Sequence, residues 1–95
     1  MVFSVVSVPI PQVLRLVLNF SCSRIKFGIG PLNTLLTVSF SNANGVLGIA
    51  YFKGRDNGGA LNQWADYSAP AGEQVTTISF ECSDSVYMDN FEFHP

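Results

Sequence analysis

Leu36-Thr37-Val38-Ser39-Phe40-Ser41-Asn42-Ala43-Asn44-Gly45 decides how this chain folds on paper: apolar Leu36, Val38 and Phe40 alternate with polar Thr37, Ser39 and Ser41 before a cluster of turn residues. Successive side chains of a β-strand point to opposite faces, so strict alternation marks a strand with one face in a core and the other in water. The chain then returns through Val46 to Lys53. Asn-Gly is the strongest short hairpin signal, since both residue types accept positive φ at low steric cost. These segments predict an antiparallel hairpin.

The same period of two extends outward in both directions. In Arg24 to Ile29, Ile25, Phe27 and Ile29 point inward and Arg24 and Lys26 outward, until Gly28, Gly30 and Pro31 interrupt the pattern. In Gln12 to Phe20, Leu14, Leu16, Leu18 and Phe20 share one face and Val13, Arg15, Val17 and Asn19 the other. Leucine and arginine also favour helices, so a short amphipathic helix competes there; the alternation favours a strand. Val2 to Val8 reads as a first strand ended by the turn Pro9-Ile10-Pro11, because proline cannot sit in a central ladder. Glu73 to Cys82 places Thr76, Ile78, Phe80 and Cys82 on one face; Ser83-Asp84-Ser85 turns the chain, and Val86 to Phe93 closes it. The expectation is an all-β fold: an antiparallel, jelly-roll-like β-sandwich of about seven strands.

Residues 1–95 are enough for one hydrophobic core and too few for two, so a single domain is expected. Apolar residues make up 47% of the chain and charged residues 13%, against roughly 25% charged in an average soluble domain. Surfaces built on Ser, Thr, Asn and Gly suit an extracellular or cell-surface setting, or burial in an assembly. All five bases (Arg15, Arg24, Lys26, Lys53, Arg55) precede all seven acids (Asp56, Asp66, Glu73, Glu81, Asp84, Asp89, Glu92). Either basic and acidic strands lie side by side and compensate, or the molecule is polar and associates head to tail. Five scattered bases make no nucleic-acid footprint, which needs a clustered cationic face.

No run approaches the roughly 20 apolar residues of a membrane-spanning helix, so no membrane insertion is expected. Met1 to Phe20 is apolar, but it lacks a basic start, is broken by Pro9 and Pro11, and reads as mature structure rather than a signal peptide. Cys22 and Cys82 admit one disulfide, which would contribute about 4 kcal/mol on the chain-entropy model; two buried free thiols are the other reading. With His94 as their only companion, they cannot form a four-ligand zinc site. Asn19-Phe20-Ser21 fits a glycosylation acceptor.

Gly54 to Gly72 reads as a long polar connection, and such loops in small domains usually carry function. It supplies the candidate ligand-binding residues Asn62, Gln63, Trp64, Asp66 and Tyr67, to which Tyr51 is added from the preceding strand. A sugar ring packs its C–H face on an aromatic side chain while nearby amides and carboxylates bond its hydroxyls. The competing structural roles are Trp64 plugging an open end of the sandwich and Tyr67 covering an edge. Acid–base catalysis has little to work with, because the single histidine, His94, lies beside the carboxyl end, where chains commonly fray. The glycines form no phosphate-binding loop. The chain is not expected to be an enzyme.

The stretch Ile78 to Phe93, with Asp89-Asn90-Phe91 in its last strand, resembles the final hairpin of bacterial extracellular jelly-roll domains, including carbohydrate-binding modules; Leu36 to Phe52 resembles their middle strands. The resemblance implies a non-enzymatic extracellular or surface binding module, with polysaccharide or another protein as partner. It also implies either no cofactor or one structural calcium ion, with Asp89 as a ligand. Calcium takes six to eight oxygens, and no acid precedes Asp56, so Asp84 or a main-chain carbonyl would have to complete the site. The alternative is a structural subunit of a surface or viral assembly, a homo-oligomer joined through exposed sheet edges.

Overall fold

The computed structural model describes residues 8–10, 13–84 and 86–95. Among them are eight strands: β1 (Val8–Ile10), β2 (Val13–Cys22), β3 (Arg24–Ile29), β4 (Leu36–Asn42), β5 (Gly45–Phe52), β6 (Gln63–Ser68), β7 (Val75–Cys82) and β8 (Val86–His94). They form two four-stranded antiparallel sheets, β1-β8-β3-β6 (sheet I) and β2-β7-β4-β5 (sheet II). The all-β sandwich expected from alternation is the fold. Most of Val2 to Val8, together with Pro11, Gln12 and Ser85, lies outside the described residues.

The core fills the space between the inner faces. Ile25 and Phe27 of β3 and Met88 and Phe91 of β8 meet Val38 and Phe40 of β4 and Ile78 and Phe80 of β7, all essentially inaccessible to water. Burial of each such side chain stabilises by about 1.5–3 kcal/mol. Phe27 meets Phe80 edge-on across the sheets at 5.7 Å and stacks on Phe91 within sheet I at 5.0 Å. β2 is a strand: Leu14, Leu16, Leu18 and Phe20 pack against the core while Val13, Arg15, Val17 and Asn19 face out.

Four expectations need correction. The segment from Gly54 to Gly72 contains β6, an edge strand whose inward residues are Ala65 and Tyr67; so small an apolar signal hid the eighth strand. The rest of that segment is pinned down. Arg55 N–H donates to Leu32 O (3.0 Å), Asp56 N–H to Asn33 O (2.8 Å), and Leu32 N–H to Leu61 O (2.8 Å). Pro9 lies within β1, opposite Tyr87, which a proline tolerates because β1 is an edge strand. The 36–53 hairpin turns on Ala43-Asn44, and Gly45 alone takes positive φ (126°), so Asn-Gly straddles the turn's end. Finally, His94 does not fray: its strand is central in sheet I, and its carbonyl accepts the Ser23 N–H at 2.9 Å.

The cysteines are unbridged. Cys22 pairs with Val75 at one end of β7, and Cys82 is the other end of the same strand. Seven residues of extended chain, about 23 Å, separate these ends, whereas a disulfide needs Cα atoms within about 7 Å. Burial pushes the Cys22 thiol up to about 11, which suppresses its thiolate.

Candidate functional site

The outer face of sheet I gathers most of the chemistry, in rows set by strand register. β3 lies between β6 and β8, so Arg24 is flanked by Ser68 and His94, Lys26 by Asp66 and Glu92, and Gly28 by Trp64 and Asp89. Gly30 N–H donates to Tyr87 O (2.9 Å), which adds Tyr87 beside Gly30, with Asn62 packed over that glycine from the other side. The bases of β3 thus sit between the acids of β6 and β8, and one-signed halves of the sequence become a compensated face. Arg24 holds Asp66 with two hydrogen bonds of 2.9 and 2.7 Å. The Arg24 guanidinium keeps the Asp66 carboxyl below its usual range, first through these hydrogen bonds and then through its charge.

Two consecutive outward positions without side chains shape the middle of this face. A Cβ on Gly28 would lie 2.9 Å from Asp89 Oδ1 and 3.3 Å from Trp64 Cζ3. A Cβ on Gly30 would collide with the Asn62 carboxamide oxygen. The missing methyl groups therefore let Trp64 and Asn62 lie over β3. Trp64 remains 49% exposed, with the Lys26 ammonium 6.0 Å from its ring centroid, near the outer limit of a cation–π contact. The surface is an open platform, and no cavity is enclosed among the described residues.

Asp89 reaches this face through a β-bulge. Lys26 pairs with Glu92 and Gly28 with Asp89, so β8 carries one residue more than β3 between them. Asn90 absorbs the excess in the left-handed region (φ 55°), where Asn is tolerated better than most residues. Asp89 is thereby left beside Gly28 and Trp64, while Phe91 points into the core.

The sequence-derived candidates divide. Trp64 and Asn62 come together on the platform. Asp66 shares the face with both carboxylate oxygens engaged by Arg24. Gln63 turns to its own loop, its amide donating to Lys53 O (2.6 Å) and Ala60 O (2.9 Å). Tyr67 packs inward between the sheets, stacked on Phe40 with centroids 3.9 Å apart and planes 2° from parallel; burial raises its hydroxyl pKa. Tyr51 is exposed on the opposite face of the molecule, paired with Thr37 in sheet II. Sequence reasoning missed Gly28, Lys26 and Tyr87 as platform residues, because only the register of β3 against β6 and β8 makes them neighbours of Trp64. Asp89 was singled out as a metal ligand, not as a neighbour of Trp64.

Asp84 lies in the turn between β7 and β8, and Asp89 sits on the platform. Among the described residues no three His, Cys, Asp or Glu side chains gather into a metal site. The carboxylate-rich oxygen set that calcium favours is not assembled by these side chains. His94 Nε2 is buried without a hydrogen-bond partner among the described residues, 3.9 Å from Glu92 Oε1. Asn19 of the acceptor tripeptide is exposed on β2. No helix among the described residues is long and apolar enough to cross a membrane.

No protein-family model matches this chain, and no curated protein matches it. Among solved structures it is similar to CsCBM6-3 from Clostridium stercorarium, a carbohydrate-binding module solved in complex with cellobiose. The likeness covers 98% of this chain and 81% of that one, with a TM-score of 0.50 and 15% sequence identity. At that identity the likeness shows the architecture alone: the two proteins share a β-sandwich fold.

Proposed function

We propose that this protein is a non-enzymatic carbohydrate-binding module of an extracellular or surface setting, and that it binds through the platform on sheet I. The observation that carries this reading is the half-exposed indole of Trp64, held over Gly28 between Asp89 and Lys26. An exposed tryptophan offers the apolar face on which the C–H groups of a sugar ring pack. Asn62 offers an amide and Asp89 a carboxylate, neither of which has a hydrogen-bond partner among the described residues. Each can orient sugar hydroxyls. The shared fold with a module that was solved with cellobiose supports the same reading.

The test is binding to a glycan array and to insoluble polysaccharides by the protein and its Trp64→Ala variant, with circular dichroism to confirm the fold. Binding that disappears in Trp64→Ala and persists in Tyr51→Ala supports the platform. Binding that survives Trp64→Ala, or absence of binding to any glycan, overturns it.

A further inference from the structure

The outer face of sheet II has the opposite character from the platform. β2 contributes Val13, Arg15 and Val17; β5 contributes Val46, Ile49 and Tyr51; and β7 and β4 between them contribute Glu81, Ser79, Thr37, Ser39 and Ser41. Five of the eight large apolar side chains exposed among the described residues lie here, from 50% exposed at Ile49 to 73% at Val17. Arg15 and Glu81 are the only charged residues of these rows, and neither makes an ion pair among the described residues. Sheet I faces water with charges that neutralise one another; sheet II faces it with apolar margins around a furrow of hydroxyls.

We propose that this face is the contact between two copies of the chain, stacked sheet on sheet in a weak two-fold dimer. The charge pattern favours a second copy over an unrelated partner. Val13 pairs with Glu81 and Arg15 with Ser79, so Arg15 and Glu81 sit one strand and one row apart. A two-fold axis crossing the strands between them brings Arg15 of each copy to Glu81 of the other, giving two reciprocal ion pairs from one base and one acid. The same axis lies between these two rows, so it sets Arg15 of each copy over Val13 of the other and Ile49 over Tyr51, and leaves Val17 and Val46 at the rim of the contact. Packed sheets stand about 10 Å apart, and the small Thr37, Ser39, Ser41 and Ser79 leave room along the centre for bridging water.

Size sets the strength. Four strands about 4.8 Å apart and three rows about 7 Å apart present at most roughly 400 Å² per copy, below the roughly 800 Å² of a standard stable interface. The dimer is therefore concentration-dependent and dissociates on dilution. The platform on sheet I stays open in it, on the far side of each copy.

Sedimentation velocity of the full chain from about 10 μM to 1 mM, a range that covers weak association, tests the proposal. The expected result is a shift from monomer to dimer with concentration. Arg15→Glu and Glu81→Arg each raise the dissociation constant about tenfold or more through like-charge contacts, and the double reversal restores it. Ile49→Asp abolishes association, and Trp64→Ala leaves it unchanged. A monomer throughout the range, a double reversal no better than the single ones, or a dimer lost in Trp64→Ala overturns the proposal. Circular dichroism of each variant separates dissociation from misfolding, and the double reversal conserves the charge of the parent.

Discussion

Trp64 and Gly28 face each other across β6 and β3, and the indole occupies the space above β3 that a Cβ at residue 28 would crowd, 3.3 Å from Cζ3. The platform is thus held in place as much by an absent methyl group as by any contact made.

Gly28→Ala is expected to push Trp64 and Asp89 out of their present positions, since its Cβ would stand 2.9 Å from Asp89 Oδ1. Crowding costs about 1–3 kcal/mol, but alanine also removes the roughly 0.5–1 kcal/mol penalty of glycine in a strand. The net effect is a loss of stability between about 0 and 2.5 kcal/mol. The chain has one tryptophan, so its fluorescence reports the displacement directly, and glycan affinity falls with it. An unchanged emission spectrum would argue against the packing described.

Tyr67 and Gly48 form the corresponding pair inside the sandwich: a Cβ at Gly48 would lie 2.6 Å from the Tyr67 hydroxyl and 2.8 Å from Cε1. Gly48→Ala should lower the free energy of unfolding by about 1–3 kcal/mol. Adding Tyr67→Phe removes the closer of these contacts and should recover part of the loss. Urea denaturation of the two single variants and the double variant measures the coupling, and Tyr67→Phe alone should leave glycan binding intact. Additive effects would show that the two residues do not touch.

The Arg24–Asp66 pair predicts a specific pH dependence. The Asp66 pKa is lowered in the folded protein, chiefly by its hydrogen bonds to Arg24. Its contribution is fully present above the unfolded carboxylate pKa of about 3.9 and is lost as pH falls through the lower folded value. The pair is exposed, so solvent screening keeps the effect small. Urea midpoints of the protein and of Asp66→Asn should differ by a constant amount from neutral pH down to about 4 and converge at lower pH. A difference that grows on acidification would reverse the sign of the assignment.

Cys22 and Cys82, buried and at opposite ends of β7, should react with an aromatic disulfide reagent only after unfolding. In denaturant two thiols should titrate without prior reduction. Fewer than two would reveal a bridge that this fold does not allow.

How much was legible in the sequence differs from element to element. Ile25-Lys26-Phe27 and Val38-Ser39-Phe40 announce their strands because large apolar residues occupy every inward position. β6 gave no such signal: its inward residues are Ala65 and a tyrosine, and a loop was the natural reading. Trp64 and Asn62 were recognised as candidates by residue type. Gln63, Asp66 and Tyr67 are not separable from them by residue type, since what sets their side chains apart is a partner that only the fold supplies: Lys53 O, Arg24 and Phe40 respectively.

The sequence by itself determined the class of fold, since a period of two in hydrophobicity can bury its apolar face only in sheets, and 95 residues suffice for one sandwich. It also determined that charge would segregate, with bases early and acids late. Tertiary structure alone decided that β3 lies between β6 and β8, which neutralises one outer face and sets Trp64 over Gly28. It also left the other outer face nearly uncharged. The physical reason is that strand neighbours are chosen by the packing of inward side chains, whereas the outward residues that carry function take whatever neighbours that packing assigns them.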